Sequence, residues 1–273
     1  MNLKFFCPRW GSENLSWNDF LQKIKEAGFS GVEYAISNST THEELNQVWE
    51  LAEQLKLEVI PQHYETADPD FSRHHDTLAA WFEKVSPYQA PKIDCQTGRD
   101  FFSFEQNKQL IELAAAHTRN TSVKVYHETH RSKFAFAAHV TKEYLTRIPE
   151  LEITLDASHW VNVAETYLDE QHEAMELAIS RTGHIHARVG YPEGPQVPDP
   201  RVPEWQEAVE KHLAWWDKVA DKFKAAGTDF TITPEFGPFP YMVPLPFTRQ
   251  PITDQWEVNV YMMQLLRDRY QNW

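Results

Sequence analysis

Ile153-Thr154-Leu155-Asp156-Ala157-Ser158-His159-Trp160 is an apolar, β-branched run that ends abruptly in an acid, with a histidine three residues further on. It predicts a strand that buries its side chains and then delivers a carboxylate and an imidazole at its end. The pattern recurs. Val123-Lys124-Val125-Tyr126-His127-Glu128 precedes it, His184-Ile185-His186 follows it, and Phe230-Thr231-Ile232-Thr233-Pro234-Glu235 comes last. Four strand ends thus carry Glu128, Asp156, His186 and Glu235. Two Glu, one Asp and one His form an oxygen-rich set with one imidazole. It suits a single divalent ion (Mn²⁺, Mg²⁺, Co²⁺ or Zn²⁺) rather than a thiolate-seeking metal.

Earlier in the chain the same alternation of strand and helix holds. Leu3–Cys7 reads as a strand, followed by a helix capped by Ser16 with Asp19 at N3 and ended by Gly28. Gly31–Ile36 and Leu57–His63 are the second and third strands, with a helix from Thr41 between them and another over Phe71–Val85. Lys92–Gly98 is a weaker fourth strand, and its helix starts at Ser103 with Gln106 at N3. A helix from Ser132 to Arg147 stops before Pro149, and the last helix has Asp254 as cap and Glu257 at N3. Eight strands, each with a helix after it and no linker between units, predict one (β/α)₈ barrel over residues 1–273. The spacing agrees, with 28 residues from Glu128 to Asp156 and 30 from Asp156 to His186. In such a barrel neighbouring strands end side by side on one rim, so one ligand per strand is enough to build a site.

Two stretches break the rhythm. The segment Ala187–Pro203 and the segment Gly237–Pro251 are rich in proline and glycine, which forbids helix and predicts loops. Both follow strands, so both are expected over the active face, and a substrate-covering role is favoured over structural elaboration.

Composition narrows the partners. The formal net charge is −14, from 26 basic against 40 acidic residues, with no Lys/Arg cluster to bind phosphate backbones. A nucleic-acid substrate is therefore disfavoured. No apolar run approaches the roughly 18 residues of a membrane span, and the apolar part of Met1–Pro8 is too short for a signal peptide. Cys7 and Cys95 are far apart and read as reduced core thiols of a cytoplasmic protein. Ten Trp, sixteen Phe and ten Tyr fit either a walled small-molecule pocket or bulky packing.

Several of these runs match known motifs. Asp156-Ala157-Ser158-His159 fits D-x-x-H, Gly183-His184-Ile185-His186 fits G-H-x-H, Gly31-Val32-Glu33 fits Gly-x-Glu, and Glu235 ends the last strand. Together they resemble the xylose isomerase-like TIM barrels, a superfamily that includes ketose 3-epimerases, hydroxypyruvate isomerase, inosose dehydratase and endonuclease IV. The resemblance spans most of the chain. It implies that Glu128, Asp156, His186 and Glu235 bind the metal, that the two glutamates serve as acid and base, and that His159 contacts a substrate oxygen. The chain also departs from the epimerase pattern. Phe134 stands where a second Glu is expected, and Pro192 where an Arg is, so Arg188 or Arg201 would have to substitute. Endonuclease IV needs more histidines and a DNA-attracting surface, and the acidity here argues against that branch.

The remaining candidates carry two readings each. His63, at the third strand's end, either lines the pocket or bonds within the barrel. Alternation turns His127 and His130 away from Glu128, unless the strand ends before His130. His184 shares a face with His186 one layer deeper, which points to orienting a ligand rather than binding metal. Trp10, Trp160 and Tyr241 are offered as sugar-stacking aromatics, with core packing the commoner use. Glu33 either bonds a substrate hydroxyl or holds a loop. The leading expectation is a metal-dependent isomerase or epimerase acting on a small carbohydrate-like substrate through an enediolate stabilised by the metal. A dehydratase or lyase on a polyol or keto sugar is the nearest alternative, and a non-catalytic carbohydrate-binding barrel comes next. The oligomeric state stays open, a homo-oligomer being one outcome.

Overall fold

The structure is a computed structural model and describes residues 1–271. Eight parallel strands pair in chain order and close into a barrel: β1 (Asn2–Pro8), β2 (Gly31–Ala35), β3 (Glu58–His63), β4 (Ile93–Cys95), β5 (Val125–Glu128), β6 (Ile153–Leu155), β7 (Thr182–His186) and β8 (Asp229–Thr233). Closure is made by β1 against β8, with Leu3 opposite Phe230 and Phe5 opposite Ile232.

Helices surround the barrel: α1 (Trp17–Ala27), α2 (His42–Gln54), α3 (Phe71–Val85), α4 (Phe104–Thr121), α5 (Ala138–Arg147), α6 (Ala157–Ala164), α7 (His172–Arg181), α8 (Gln206–Ala226) and α9 (Gln255–Tyr270). Their starts follow from side chains that satisfy otherwise orphaned backbone donors. Ser16 accepts from the Asp19 amide, Thr41 from Glu44, and Asp254 from Glu257, while Ser103 and Gln106 form a reciprocal capping box. Among the described residues no helix is long and apolar enough to cross a membrane.

The period of two along each strand sorts side chains between two environments. Val32, Val59, Ile93, Val125, Ile153, Ile185 and Ile232 face outward and join the helices in one apolar layer. Their neighbours point into the barrel, where this chain is unusually polar. Glu33 on β2 bonds His184 and His186 on β7, and Lys92, just before β4, bonds Thr231 on β8. These pairs join strands that are not neighbours, so each bond crosses the interior.

Two local predictions are corrected. The helix expected from Ser132 begins at Ala138, because Ser132 sits at φ 66° and the chain turns. The Phe134 amide then bonds the Thr97 carbonyl and ties this loop to the one after β4. Two helices, α6 and α7, fill the β6–β7 connection. Asp156 is the N-cap of α6, accepting from the Ser158 amide, so the D-x-x-H run is a strand end and a helix start at once.

Candidate metal centre at the barrel rim

Glu128 ends β5, Asp156 follows β6, His186 ends β7 and Glu235 lies two residues past β8. One ligand atom from each lies within 4.8 Å of the others, and all four residues are buried. His186 Nδ1 is 3.0 Å from Glu235 Oε2 and 3.5 Å from Glu128 Oε1. Neither contact has hydrogen-bond alignment, and Nδ1 and both Glu128 oxygens have no hydrogen-bond partner. On the other side of the ring, His186 Nε2 is 3.0 Å from Glu33 Oε1. A carboxylate behind an imidazole is the usual way to orient a ligand ring, and it makes Nδ1 the nitrogen presented to a metal.

A cation fits this set on its donor chemistry. Glu33, Asp94, Glu128, Asp156 and Glu235 are all buried here, with the Arg188 guanidinium among them. Buried carboxylates without donors are costly, and a hard divalent ion with oxygen ligands and one imidazole relieves that cost. Of the four, Asp156 is the group most committed to protein. Its Oδ1 takes the Ser158 amide and hydroxyl, and its Oδ2 takes Arg188.

The protonation pattern follows from burial and neighbours. Burial, together with Glu235 nearby, raises Glu128 to about 7. Burial also pushes Glu235 upward, but the His186 imidazole and Arg188 outweigh it and hold Glu235 at about 2. Burial disfavours charge on His186, yet Glu235, Glu33 and Asp94 more than compensate and keep it protonated well above its ordinary range. Asp94 is pushed well up, chiefly by burial, and neither of its oxygens finds a donor.

Beside the cluster opens a cavity of about 760 Å³, lined by Gln62, Glu128, His130, Arg188, Glu235 and Tyr241 among others. Arg188 continues the inward face two residues beyond His186. Its side chain reaches Asp156, the Glu235 carbonyl and His159 Nε2 (2.9 Å), and its guanidinium stacks 4.7 Å from the Tyr241 ring. Arg201 lies elsewhere, paired to Asp199. His159 is fully buried, its ring 3.8 Å from that of His130 and its Nδ1 unpartnered, set behind Arg188.

Three residues expected to touch substrate do not face the cavity, the first being His159 behind Arg188. His63 points outward from β3, edge-on to Trp81, with its Nδ1 3.4 Å from the Gln96 carbonyl. The residue before it, Gln62, is the one turned inward, donating 3.1 Å to Glu235 Oε1. Trp160 is fully buried and donates to the Ala135 carbonyl at 2.8 Å. The helical turn that aims His159 at the site rotates its neighbour away. His127 also faces outward, bonding Thr97 at 2.7 Å. His130, beyond the end of β5, turns back to the cavity. Asp94 and Gln62 escaped the sequence reading. The signal that finds them is their place two residues before, or level with, other inward groups in the strand register, with Gln62 opposite Asp94.

The two long loops differ from expectation in one case. Val189, Gly190 and Val197 are buried, and a Cβ on Gly190 would lie 2.8 Å from Ser158. Gln196 bonds both the amide and the carbonyl of Gly237. Beyond Arg188 the first loop is thus a buttress for the second, which reaches the cavity through Tyr241.

No protein-family model matches the chain, and no curated protein compared with it does either. Solved structures do match. A xylose isomerase domain protein from Planctomyces limnophilus superposes with TM-score 0.62 at 14% identity, covering 100% of this chain and 99% of that one. A probable 3-DHS dehydratase involved in petrobactin synthesis from Bacillus anthracis gives TM-score 0.62 at 15% identity over 98% and 100%. The chain has the xylose isomerase-like TIM-barrel fold. A third barrel of this type, from Mycobacterium smegmatis and in complex with magnesium, gives TM-score 0.59 at 8% identity over 97% of each chain. At these identities the likeness concerns the fold, and the chemistry rests on this chain's own residues.

Proposed function

We propose that the chain is a divalent-metal-dependent isomerase or epimerase of a sugar or sugar derivative, with Glu128 and Glu235 transferring the proton. One observation carries the reading: two buried carboxyl groups flank a single imidazole nitrogen, and their surroundings push their protonation apart. Such a split marks an acid and a base. Glu235, ionised, is the group able to take a proton alpha to a carbonyl. Glu128, raised to about 7, gains and loses a proton close to neutrality and is the group able to give one back. Arg188, a donor-only group already turned to the site, balances negative charge developing on substrate oxygens. Gln62 holds Glu235 in place, and Trp10 with Tyr241 (ring centroids 5.2 Å apart) offers an aromatic wall for a sugar face. One divalent ion, Mn²⁺ or Mg²⁺ among the candidates, would be held by Glu128, Asp156, His186 and Glu235. When bound it supplies Lewis-acid polarisation of the carbonyl and steadies the charge left by proton removal.

The same pair supports a second reading. A protonated Glu128 beside an ionised Glu235 can also protonate a leaving hydroxyl while the base takes the carbon-bound proton, so that a C=C bond forms and water departs. The dehydratase from Bacillus anthracis makes this the alternative to test. Incubation with manganese and a panel of ketoses and hydroxy-carbonyl acids in deuterated water separates the readings. Solvent deuterium on carbon in a product of unchanged composition supports isomerisation or epimerisation. A product lighter by one water supports elimination. Metal binding with neither outcome for any substrate sinks both in favour of a binding barrel.

A further inference from the structure

Below the ligand cluster a line of hydrogen bonds runs the length of the barrel. Lys92 lies at the strands' N-terminal pole, buried, with its Nζ 2.7 Å from the Gly183 carbonyl and 2.6 Å from Thr231 Oγ1. Thr231 Oγ1 is 2.8 Å from His184 Nδ1, and His184 Nε2 is 3.3 Å from Glu33 Oε2. The other Glu33 oxygen meets His186 Nε2. Gly183 makes the lower end possible, since a Cβ there would lie 1.8 Å from the Tyr126 ring that packs over the amine.

Donor chemistry gives the line a direction. An ammonium group has only donors, so Thr231 Oγ1 accepts from Lys92 and turns its own proton to His184 Nδ1. His184 then carries its proton on Nε2 and donates to Glu33. Glu33 accepts from both imidazoles, so Nδ1 is the His186 nitrogen that faces Glu128 and Glu235 and that gives up its proton to a metal. The competing arrangement puts the His184 proton on Nδ1, towards the Thr231 carbonyl at 3.0 Å. It would set the bare Nε2 against a carboxylate oxygen, with the Thr233 hydroxyl at 3.2 Å as the one donor there, whereas an Nε2–H has both oxygens as acceptors. Burial lowers the Lys92 amine to about 7, and in either protonation state it keeps at least two N–H donors for its two acceptors.

We propose that Lys92 is a positioning residue for the metal centre at the opposite end of the barrel, fixing the His184 tautomer through Thr231 and thereby the presentation of His186. This rests on the metal-centre reading above, and the test separates the two. Ring-nitrogen correlation spectra of ¹⁵N-labelled, metal-free protein report the tautomer directly. Wild-type His184 is expected as the Nε2–H form, and Lys92→Met or Thr231→Val shifts it towards Nδ1–H. Manganese affinity falls about tenfold in each variant, the lower edge of the range for outer partners of metal ligands. The double variant loses no more than either single one. If Lys92→Met does not fold, Thr231→Val and the donor-keeping Lys92→Arg carry the test, the first switching and the second not. An Nδ1–H wild type, an unchanged tautomer in the variants, or additive losses would overturn the proposal. Wild-type protein that binds no manganese overturns the metal centre, while the tautomer measurement still judges the chain of bonds.

Discussion

On β5, Glu128 and His127 are neighbours in sequence, equally buried, and opposite in use. His127 faces the helices, bonds Thr97 and packs against the Phe134 ring. Glu128 faces the interior with both oxygens unpartnered. The same contrast separates Asp94, with both oxygens unpartnered, from Cys95 on β4, whose sulfur accepts from Thr97. On the outer face polar groups are tied into packing, as buried polar groups normally are. On the inner face several stay free of partners in a space that barrels usually fill with Val, Ile and Leu. Buried carboxylates without donors lower stability, so they point to a ligand that completes them.

The harshest way to break this contrast is to remove inner ligands. Asp156→Ala or His186→Ala should abolish manganese binding in a titration of purified protein. Full stoichiometry in both would mean the inner face holds no metal. Because His186 is held protonated without metal, binding must displace that proton. Affinity should therefore rise with pH up to the point where the free imidazole is already neutral, and titrations in buffers of different ionisation enthalpy should report the released proton.

A finer break separates ligation from proton transfer. Glu128→Gln and Glu235→Gln keep size and one ligand oxygen but remove the acid or base. Metal should survive, weakened, while turnover falls by about 10²–10⁴-fold. In deuterium exchange the variant lacking the first base loses exchange entirely, whereas the one lacking the second still exchanges without completing the reaction. Wild-type rates in both, with metal bound, would reduce these residues to ligands.

How far the sequence reveals this depends on which face a residue takes. The convergence of Glu128, Asp156, His186 and Glu235 is legible because each closes an apolar run, and helix starts at Ser16, Thr41, Ser103 and Asp254 because caps are local chemistry. His63 was misread because a one-residue change of register exchanges the faces of a strand, and nothing in Leu57–His63 pins that register. Asp94 was missed for a related reason: β4 is only three residues long. Trp160 was misread because its run passes from strand to helix within the motif. Whether Arg188 or Arg201 enters the site depends on where β7 ends and the next loop folds, which no local pattern states.

The outer face has its own test, with a smaller effect. Burial lowers both His63 and His127 to about 3. Unfolded, each takes a proton near the ordinary pKa of about 6.5. Between those values the unfolded state binds more protons, so stability is complete above pH 6.5 and declines as pH falls towards 3. His63→Phe should make that decline shallower by about 1.4 kcal/mol per pH unit in urea unfolding between pH 6 and 4. Manganese affinity should stay within about twofold, as expected of a residue outside the ligand's surroundings. A loss as large as that of the inner variants would erase the distinction between the faces.

The smallest effect is expected where the contrast extends into the loops. Gln196 holds Gly237 by two hydrogen bonds, and Gly237 has no room for a side chain, since a Cβ would lie 2.1 Å from the Trp10 ring. Trp10 in turn meets Tyr241 edge-on, and both line the cavity. The buttress therefore acts on the aromatic wall and not on the ligands. Gln196→Ala leaves a buried amide and carbonyl of Gly237 unsatisfied, at a cost of about 1–3 kcal/mol, which lowers Tm by about 2–4 °C for each kcal/mol. KM should rise a few-fold with kcat nearly unchanged, because substrate seating loosens while the proton-transfer groups stay in place. A fall in kcat with KM unchanged would place the loop's influence on the ligand cluster instead, and the wall would then be packing alone.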